Sequence, residues 1–274
     1  MDRYAVIGNP ISHSQSPFIH SQFAGQSSQP MSYERILAPM DDFAGVLRRF
    51  MQEGGKGCNI TVPFKTDVLG LAEVLTERAE LAGAVNTLHL QPDGRWLGDN
   101  TDGAGLIMDL KRLGIPLAGR RLLLLGAGGA ARGAMAPLLA ESPAELVVAN
   151  RTQSRADELA ARFARFGKVG SCALDELAGA FDVIINSTSA SLQGDALALT
   201  ESLCHPQTRV YDMMYGRDET AFLRWARELG LEHRHDGLGM LVSQAAESFY
   251  LWRGVRPDVV PVLAALRAKL ELSS

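Results

Sequence analysis

Cysteine is scarce in this chain of 274 residues. There are three, Cys58, Cys172 and Cys204, far apart and without a CxxC pair. That spacing offers neither a disulfide framework nor a structural zinc site, and it suits a reducing, cytoplasmic setting. No charge sign dominates. A net charge of −4 leaves no basic footprint for nucleic acid or for an anionic membrane. No apolar run is long enough to span a bilayer. The chain leads from Met1 straight into a strand-like run, so no signal peptide is expected. Fixed-period repeats and low-complexity segments are missing too. No metal cluster or low-pKa nucleophile stands out. What remains is an ordinary soluble composition, 46% hydrophobic and 21% charged, in a chain long enough for one large domain or two medium ones.

Strand-like and helix-like periods alternate along most of the sequence. Strands are expected at 4–8, 32–37, 57–62, 84–90, 121–125, 145–150, 182–186 and 209–213, with a weaker one at 232–235. Helices are expected around 42–51, 103–113, 129–139, 155–163 and 219–229. This alternation predicts an α/β fold with mainly parallel sheets. Two helices broken near Gly254–Pro257 are expected over 239–270.

The run Leu122-Leu123-Leu124-Leu125 reads as a buried strand, and Gly126-Ala127-Gly128-Gly129-Ala130-Ala131 as the turn into a helix. This matches the dinucleotide-binding fingerprint, with glycine at its first two positions and a small residue at the third. Gly126 permits a tight turn, Gly128 lets backbone approach a pyrophosphate, and Ala131 lets the helix pack close to the strand. The phosphates would sit at the positive end of the helix. The next strand ends in Asn150-Arg151-Thr152. An acidic residue there would favour NAD, whereas a guanidinium matches the extra phosphate of NADP. Thr152 adds a hydroxyl, and Arg155 adds charge one helical turn on. The alternative is a solvated surface arginine. The glycine-rich turn opens a dinucleotide domain and arrives late, so about a hundred residues before it need a core of their own. Residues 1–101 with 239–274 are expected to form one domain, and 102–238 the Rossmann-type, doubly wound one.

Four polar segments of the first domain lie at or after strands: Pro10-Ile11-Ser12-His13-Ser14-Gln15-Ser16-Pro17, Asn59-Ile60-Thr61-Val62-Pro63-Phe64-Lys65, Gly83-Ala84-Val85-Asn86-Thr87 and Gly98-Asp99-Asn100-Thr101-Asp102-Gly103. Ligands of open α/β sheets bind at such strand ends. The hydroxyls, amides, ammonium and carboxylate on offer suit a small, polyhydroxylated, acidic molecule. Taken with the Gly126–Ala131 turn, Asn150-Arg151-Thr152, Tyr211-Asp212-Met213-Met214-Tyr215 and Gly237-Leu238-Gly239-Met240-Leu241-Val242-Ser243-Gln244-Ala245-Ala246, these segments resemble the shikimate dehydrogenases. Those are NADP-dependent enzymes of the aromatic amino-acid pathway, and the resemblance runs the length of the chain.

The resemblance implies two domains separated by a cleft. NADPH would bind the second and 3-dehydroshikimate the first, with hydride passing to the C3 carbonyl. Ser14 and Ser16, helped by Tyr215, would hold the substrate carboxylate. Thr61, Lys65, Asn86, Asp102 and Gln244 would contact ring hydroxyls and the reacting oxygen, with Lys65 and Asp102 as the catalytic pair. Met213 and Gly237 would lie near the nicotinamide. Gly126, Ala127, Gly128, Gly129, Ala130, Asn150, Arg151, Thr152, Arg155 and Thr188 would complete the NADP(H) site. The chemistry is consistent with this. Reducing a ketone puts charge on its oxygen, which an ammonium can stabilise and protonate.

Plainer readings exist for each residue. Ser14 and Ser16 could cap a helix starting near Pro17. Asn86 could be a turn residue, Asp102 a helix N-cap, and Lys65 or Gln244 solvent-facing. His13 is left out of the site, and Cys58 reads as a packed thiol. The continuation Ala190-Ser191 puts serine where the family has glycine, which would strain the loop if the backbone there is left-handed. Competing functions are a broader enzyme that accepts quinate or NAD, and a non-catalytic NADP-binding sensor. Either a monomer or a homodimer is compatible with the sequence.

Overall fold

A computed structural model describes residues 1–188 and 199–272; Ser191 falls outside them. The chain divides into two compact units, Met1–Gly105 with Val242–Lys269, and Leu106–Leu241 with the end of the chain from Leu270. Among the described residues no helix is long and apolar enough to cross a membrane.

The first unit holds a six-stranded sheet of β1 (Asp2–Gly8), β2 (Met31–Leu37), β3 (Gly55–Ile60), β4 (Val74–Leu75), β5 (Thr87–Leu90) and β6 (Trp96–Asp99), in the order β2-β1-β3-β5-β6-β4. The sheet is mainly parallel, as alternation predicts, with β1 pairing β2 and β3, and β4 pairing β6, in parallel, but β5 runs the other way. β3 pairs β5 and β5 pairs β6 antiparallel. The cause is local. Between β5 and β6 the chain reads Gln91-Pro92-Asp93-Gly94-Arg95, a tight turn with Gly94 at φ +87. Such a turn reverses the chain, where a parallel neighbour would need a long crossover.

Residues alternate across β1 as a pleated strand requires. Ala5 and Ile7 join a core with Phe43, Leu47 and Phe50 of α2 (Phe43–Gln52). Those helix positions follow the i, i+4, i+7 spacing that puts apolar side chains on one stripe. Tyr4 faces the other way, its ring 4.7 Å from that of Trp252. That opposite layer includes α1 (Ser16–Gln26), which buries Ile19, His20 and Phe23. α3 (Glu77–Ala82) is capped by Thr76, whose hydroxyl accepts from the Ala79 N–H, and ends at left-handed Gly83. α4 (Asp102–Arg112) follows β6 directly.

The second unit holds β7 (Arg121–Leu125), β8 (Glu145–Asn150), β9 (Val169–Ala173), β10 (Val183–Asn186), β11 (Arg209–Asp212) and β12 (Arg234–His235). Their order is β12-β11-β10-β7-β8-β9, and every pair is parallel. This is the doubly wound arrangement, with its switch point between β7 and β10. Leu122 to Leu125 are fully buried, as expected of a parallel strand covered on both faces. The helices α5 (Gly129–Ala140), α6 (Gln153–Phe163) and α7 (Ala221–Glu228) connect the strands.

Two helices close the described chain, α8 (Leu238–Arg253) and α9 (Val259–Leu272). In the first unit Gly105 lies against Gln244. A side chain at 105 would meet the Gln244 backbone nitrogen at 2.5 Å, so glycine lets α4 and α8 come close.

Candidate active site

The polar segments of the first unit converge because backbone hydrogen bonds tie their loops together. Val85 N–H donates to the Lys65 carbonyl at 2.8 Å, Asn86 N–H to the Asp99 carbonyl at 3.0 Å, and Ile60 N–H to the Asn86 carbonyl at 2.8 Å. Residues 84–86 are therefore loop rather than the start of a strand. Lys65 and Asn86 come from two loops and Asp102 from the start of α4, and the three meet. Lys65 Nζ donates to Asp102 Oδ2 at 2.6 Å, and Asn86 Nδ2 donates to Asp102 Oδ1 at 2.8 Å. Gln244 of α8 accepts from Asn86 Nδ2 at 3.3 Å.

Asn86 does stand in a loop, but the plainer readings do not describe Lys65, Asp102 and Gln244. The Lys65 side chain is 31% exposed and paired, so it is not a free surface lysine. Asp102 lies inside the first turn of α4, and its N–H is taken by Asn100 Oδ1 at 3.1 Å. Gln244 is half-buried. A few residues away, Asp99 is fully buried and accepts from Arg78 Nε, Arg78 Nη2, Thr76 Oγ1 and Asn100 N–H. Burial alone would raise its pKa, but the Arg78 guanidinium and the other donors hold it below the usual carboxylate range.

Thr61 is half-buried and begins the turn that leads to Lys65, its carbonyl accepting from Phe64 N–H at 3.1 Å. Ser14 and Ser16 stand at the start of α1, yet neither side chain caps it: Gln15 is the N-cap and makes no side-chain cap bond. Ser16 N–H instead donates to Ser14 Oγ at 3.3 Å. Arg35 grips the Ser14 carbonyl through Nε at 3.0 Å and Nη2 at 2.6 Å. Tyr215 belongs to the second unit, where burial and the negative charge of Asp236 raise its phenol pKa.

In the second unit Gly126 has φ +103, the left-handed backbone that a tight turn at this point requires. A side chain there would meet Ser187 Oγ at 2.7 Å and Thr188 Cγ2 at 2.9 Å, so the β7 and β10 loops pack together at the switch point. Gly128 and Gly129 have open space where a Cβ would stand. Ala131 is fully buried. Ala127 and Gly128 line a pocket of about 340 Å³ with Arg132, Arg155, Glu158, Leu159 and Arg162. Three guanidiniums beside a helix N-terminus fit the phosphates of a dinucleotide. Asn150 Nδ2 donates to the Thr152 carbonyl at 2.8 Å, fixing the bend that follows β8, and Arg151 is exposed just after it. Ala130, half-buried, follows in the first turn of α5. Thr188 Oγ1 donates to Asn186 Oδ1 at 2.8 Å. Gly237 lies on Met213: a side chain at 237 would run into the Met213 carbonyl, and Gly237 N–H donates to the Met214 carbonyl at 3.0 Å.

Several participants were not singled out from sequence. Arg132 could have been, as an arginine on the first turn after a glycine-rich loop. Asn59, Thr87 and Thr101 stand inside the quoted segments but carry no assignment. Arg35 and Ser248 have no local signal.

Residues 6–88 match the family model for the shikimate dehydrogenase substrate binding domain, residues 109–206 that for shikimate / quinate 5-dehydrogenase, and residues 237–267 that for the shikimate 5'-dehydrogenase C-terminal domain. The chain is 56% identical over 270 residues to the shikimate dehydrogenase (NADP(+)) of Aeromonas salmonicida, covering 98% of this chain and 99% of that one. The chain belongs to the shikimate dehydrogenase family. Among solved structures it is similar to an Ael1 enzyme from Pseudomonas putida, with TM-score 0.93 and 46% identity, covering 97% of this chain and 98% of the other. It is also similar to the shikimate 5-dehydrogenase of Thermus thermophilus, solved with NADP(H) and shikimate, with TM-score 0.88 and 34% identity over 98% of this chain and 100% of that one.

Proposed function

We propose that this chain is an NADP-dependent shikimate dehydrogenase, reducing 3-dehydroshikimate reversibly to shikimate. The observation that carries this reading is the contact of Lys65, Asn86 and Asp102, drawn from two loops and the first turn of α4, in a chain of this family. When bound, NADP(H) supplies or accepts the hydride. Lys65 donates a hydrogen bond to the ketone oxygen, stabilises the negative charge that develops there, and passes it a proton. Asp102 keeps the ammonium aimed, and Asn86 keeps Asp102 aimed. In the oxidation direction the same pair takes up the alcohol proton.

Thr61 and Gln244 contact the ring hydroxyls, and Ser14 and Ser16 hold the carboxylate. Gly126 to Ala130 bring backbone to the pyrophosphate. Asn150, Arg151, Thr152 and Arg155 hold the ribose phosphate, and Arg132 adds charge to the same pocket. Thr188, Met213 and Gly237 border the nicotinamide. In this reading the protein works in the cytoplasm, as a monomer or homodimer, on a small molecule.

The test is the initial rate of oxidation with shikimate or quinate crossed with NADP or NAD, followed by reduced-cofactor absorbance. Turnover confined to shikimate with NADP is the expected result. Comparable rates with quinate or NAD would move the chain to the broader reading, which the shikimate / quinate name of the second family model favours. No turnover with any pair, despite NADP binding, would overturn it.

A further inference from the structure

Behind Asn86 lies a layer of buried polar side chains to which the reaction above gives no role. Thr87 and Ser248 are fully buried, and Asn59 is nearly so. Tyr33 Oη donates to Asn59 Oδ1 at 2.7 Å. Asn59 Nδ2 faces the Asn86 carbonyl at 3.2 Å, Thr87 Oγ1 at 3.1 Å and Ser248 Oγ at 3.0 Å. Ser248 Oγ and Thr87 Oγ1 are 2.8 Å apart, and Thr87 Oγ1 donates to Asn86 Oδ1 at 2.8 Å.

The directions of these bonds are fixed by groups that play only one part. Thr101 N–H can only donate, and it points at Asn86 Oδ1 at 2.9 Å. The Asn86 NH2 must then face Asp102, which can only accept. The Asn86 carbonyl can only accept, so it receives the NH2 of Asn59, and Asn59 Oδ1 must turn to Tyr33. The hydroxyls of Ser248 and Thr87 lie between the two amides: each faces Asn59 Nδ2, Thr87 Oγ1 donates to Asn86 Oδ1, and Ser248 Oγ donates to the Gln244 carbonyl at 3.2 Å. An apolar layer of the same size would fill the space but would take from Asn86 Oδ1 the Thr87 hydroxyl, leaving Thr101 to donate to it. A fully satisfied buried network selects a single geometry.

We propose that Thr87, with Ser248, Asn59 and Tyr33 behind it, positions the reaction: it holds the Asn86 amide so that it donates to Asp102, and thereby sets the carboxylate that aims Lys65. The proposal rests on the reading of Lys65 and Asp102 given above.

The test compares Thr87→Val, which keeps the shape and removes the hydroxyl, with Thr87→Ser, which keeps the hydroxyl. Asn86 Oδ1 keeps Thr101 N–H, so the loss is of one of its donors, and kcat is expected to fall roughly tenfold in Thr87→Val. Both KM values are expected to stay within about twofold, and Thr87→Ser to recover most of the rate, because the hydroxyl and its bonds to Asn86, Asn59 and Ser248 return while no substrate contact is altered. In the ligand-free protein, hydrogen exchange of the Asn86 side-chain NH2 is expected to speed up in Thr87→Val and not in Thr87→Ser. A change that merely loosens the unit would lower the melting temperature without separating Ser from Val in this way. Wild-type kcat in Thr87→Val, a Thr87→Ser variant as slow as Thr87→Val, or unchanged Asn86 exchange would overturn the proposal. A wild-type protein without turnover would overturn the functional reading instead, and the exchange comparison would still decide whether Thr87 positions the amide.

Discussion

Replacing His20 by phenylalanine is expected to make the protein more resistant to acid. His20 is fully buried on α1, its ring stacked 4.3 Å from Tyr33 and 5.2 Å from the ring of Trp252. Burial lowers its pKa from 6.5 to about 3. The folded protein therefore keeps this imidazole neutral, while the unfolded chain takes up a proton below about pH 6.5. The unfolded state binds more protons in that window, so stability falls as pH falls. The loss begins near the unfolded pKa and levels off near the folded one. With these two values it amounts to about 2 kcal/mol by pH 5 and about 3 kcal/mol by pH 4. The assay is urea unfolding of wild type and His20→Phe at about pH 7.5 and pH 5, read as the midpoint at constant slope. Other groups titrate alike in both proteins, so the difference isolates His20. The variant is expected to lose about 2 kcal/mol less than wild type over this interval. Equal losses in the two proteins would refute a neutral, buried His20.

Arg151→Ala is expected to raise KM for NADP roughly tenfold or more while leaving KM for NAD unchanged, the signature of a lost charge-assisted phosphate contact; equal effects on both cofactors would remove Arg151 from that role. Gly237→Ala must push the Met213 carbonyl aside, and is expected to lower both the melting temperature and NADP affinity, measured by thermal scans with and without cofactor. Arg78→Met strips Asp99 of its cation, and urea unfolding is expected to show a loss of about 3 kcal/mol, because a buried carboxylate is left short of a partner.

The parts of the fold that sequence foretold are those with strong local rules. The Leu122–Leu125 run, the glycine turn and the Asn150-Arg151-Thr152 strand end carry their own geometry. The spacing of Phe43, Val46, Leu47 and Phe50 likewise marks α2 without help from the rest of the chain. What escaped was short or decided by distant partners. β9 reads Val-Gly-Ser-Cys-Ala, is half-buried throughout and lies at a sheet edge, so it has neither the apolar run nor the alternation that marks a strand. β4 is two residues long and exists because it pairs with β6. The direction of β5 depended on a Pro-Asp-Gly turn whose meaning local pattern did not capture. In the site, Lys65 and Asp102 were named through resemblance, but their link through Asn86 is a tertiary fact. Arg35 on Ser14 and Ser248 on Thr87 join residues far apart in sequence, and nothing near either residue announces it.

The most direct test of the account is a double-mutant cycle on shikimate oxidation with Lys65→Met, Asp102→Asn and the two combined. If Lys65 carries the charge and proton while Asp102 acts through it, each single change should lower kcat, Lys65→Met by roughly 10² or more. The double variant should then be no slower than Lys65→Met alone, because the carboxylate has nothing left to aim. Losses that multiply, or a Lys65→Met enzyme with near wild-type kcat, would contradict it.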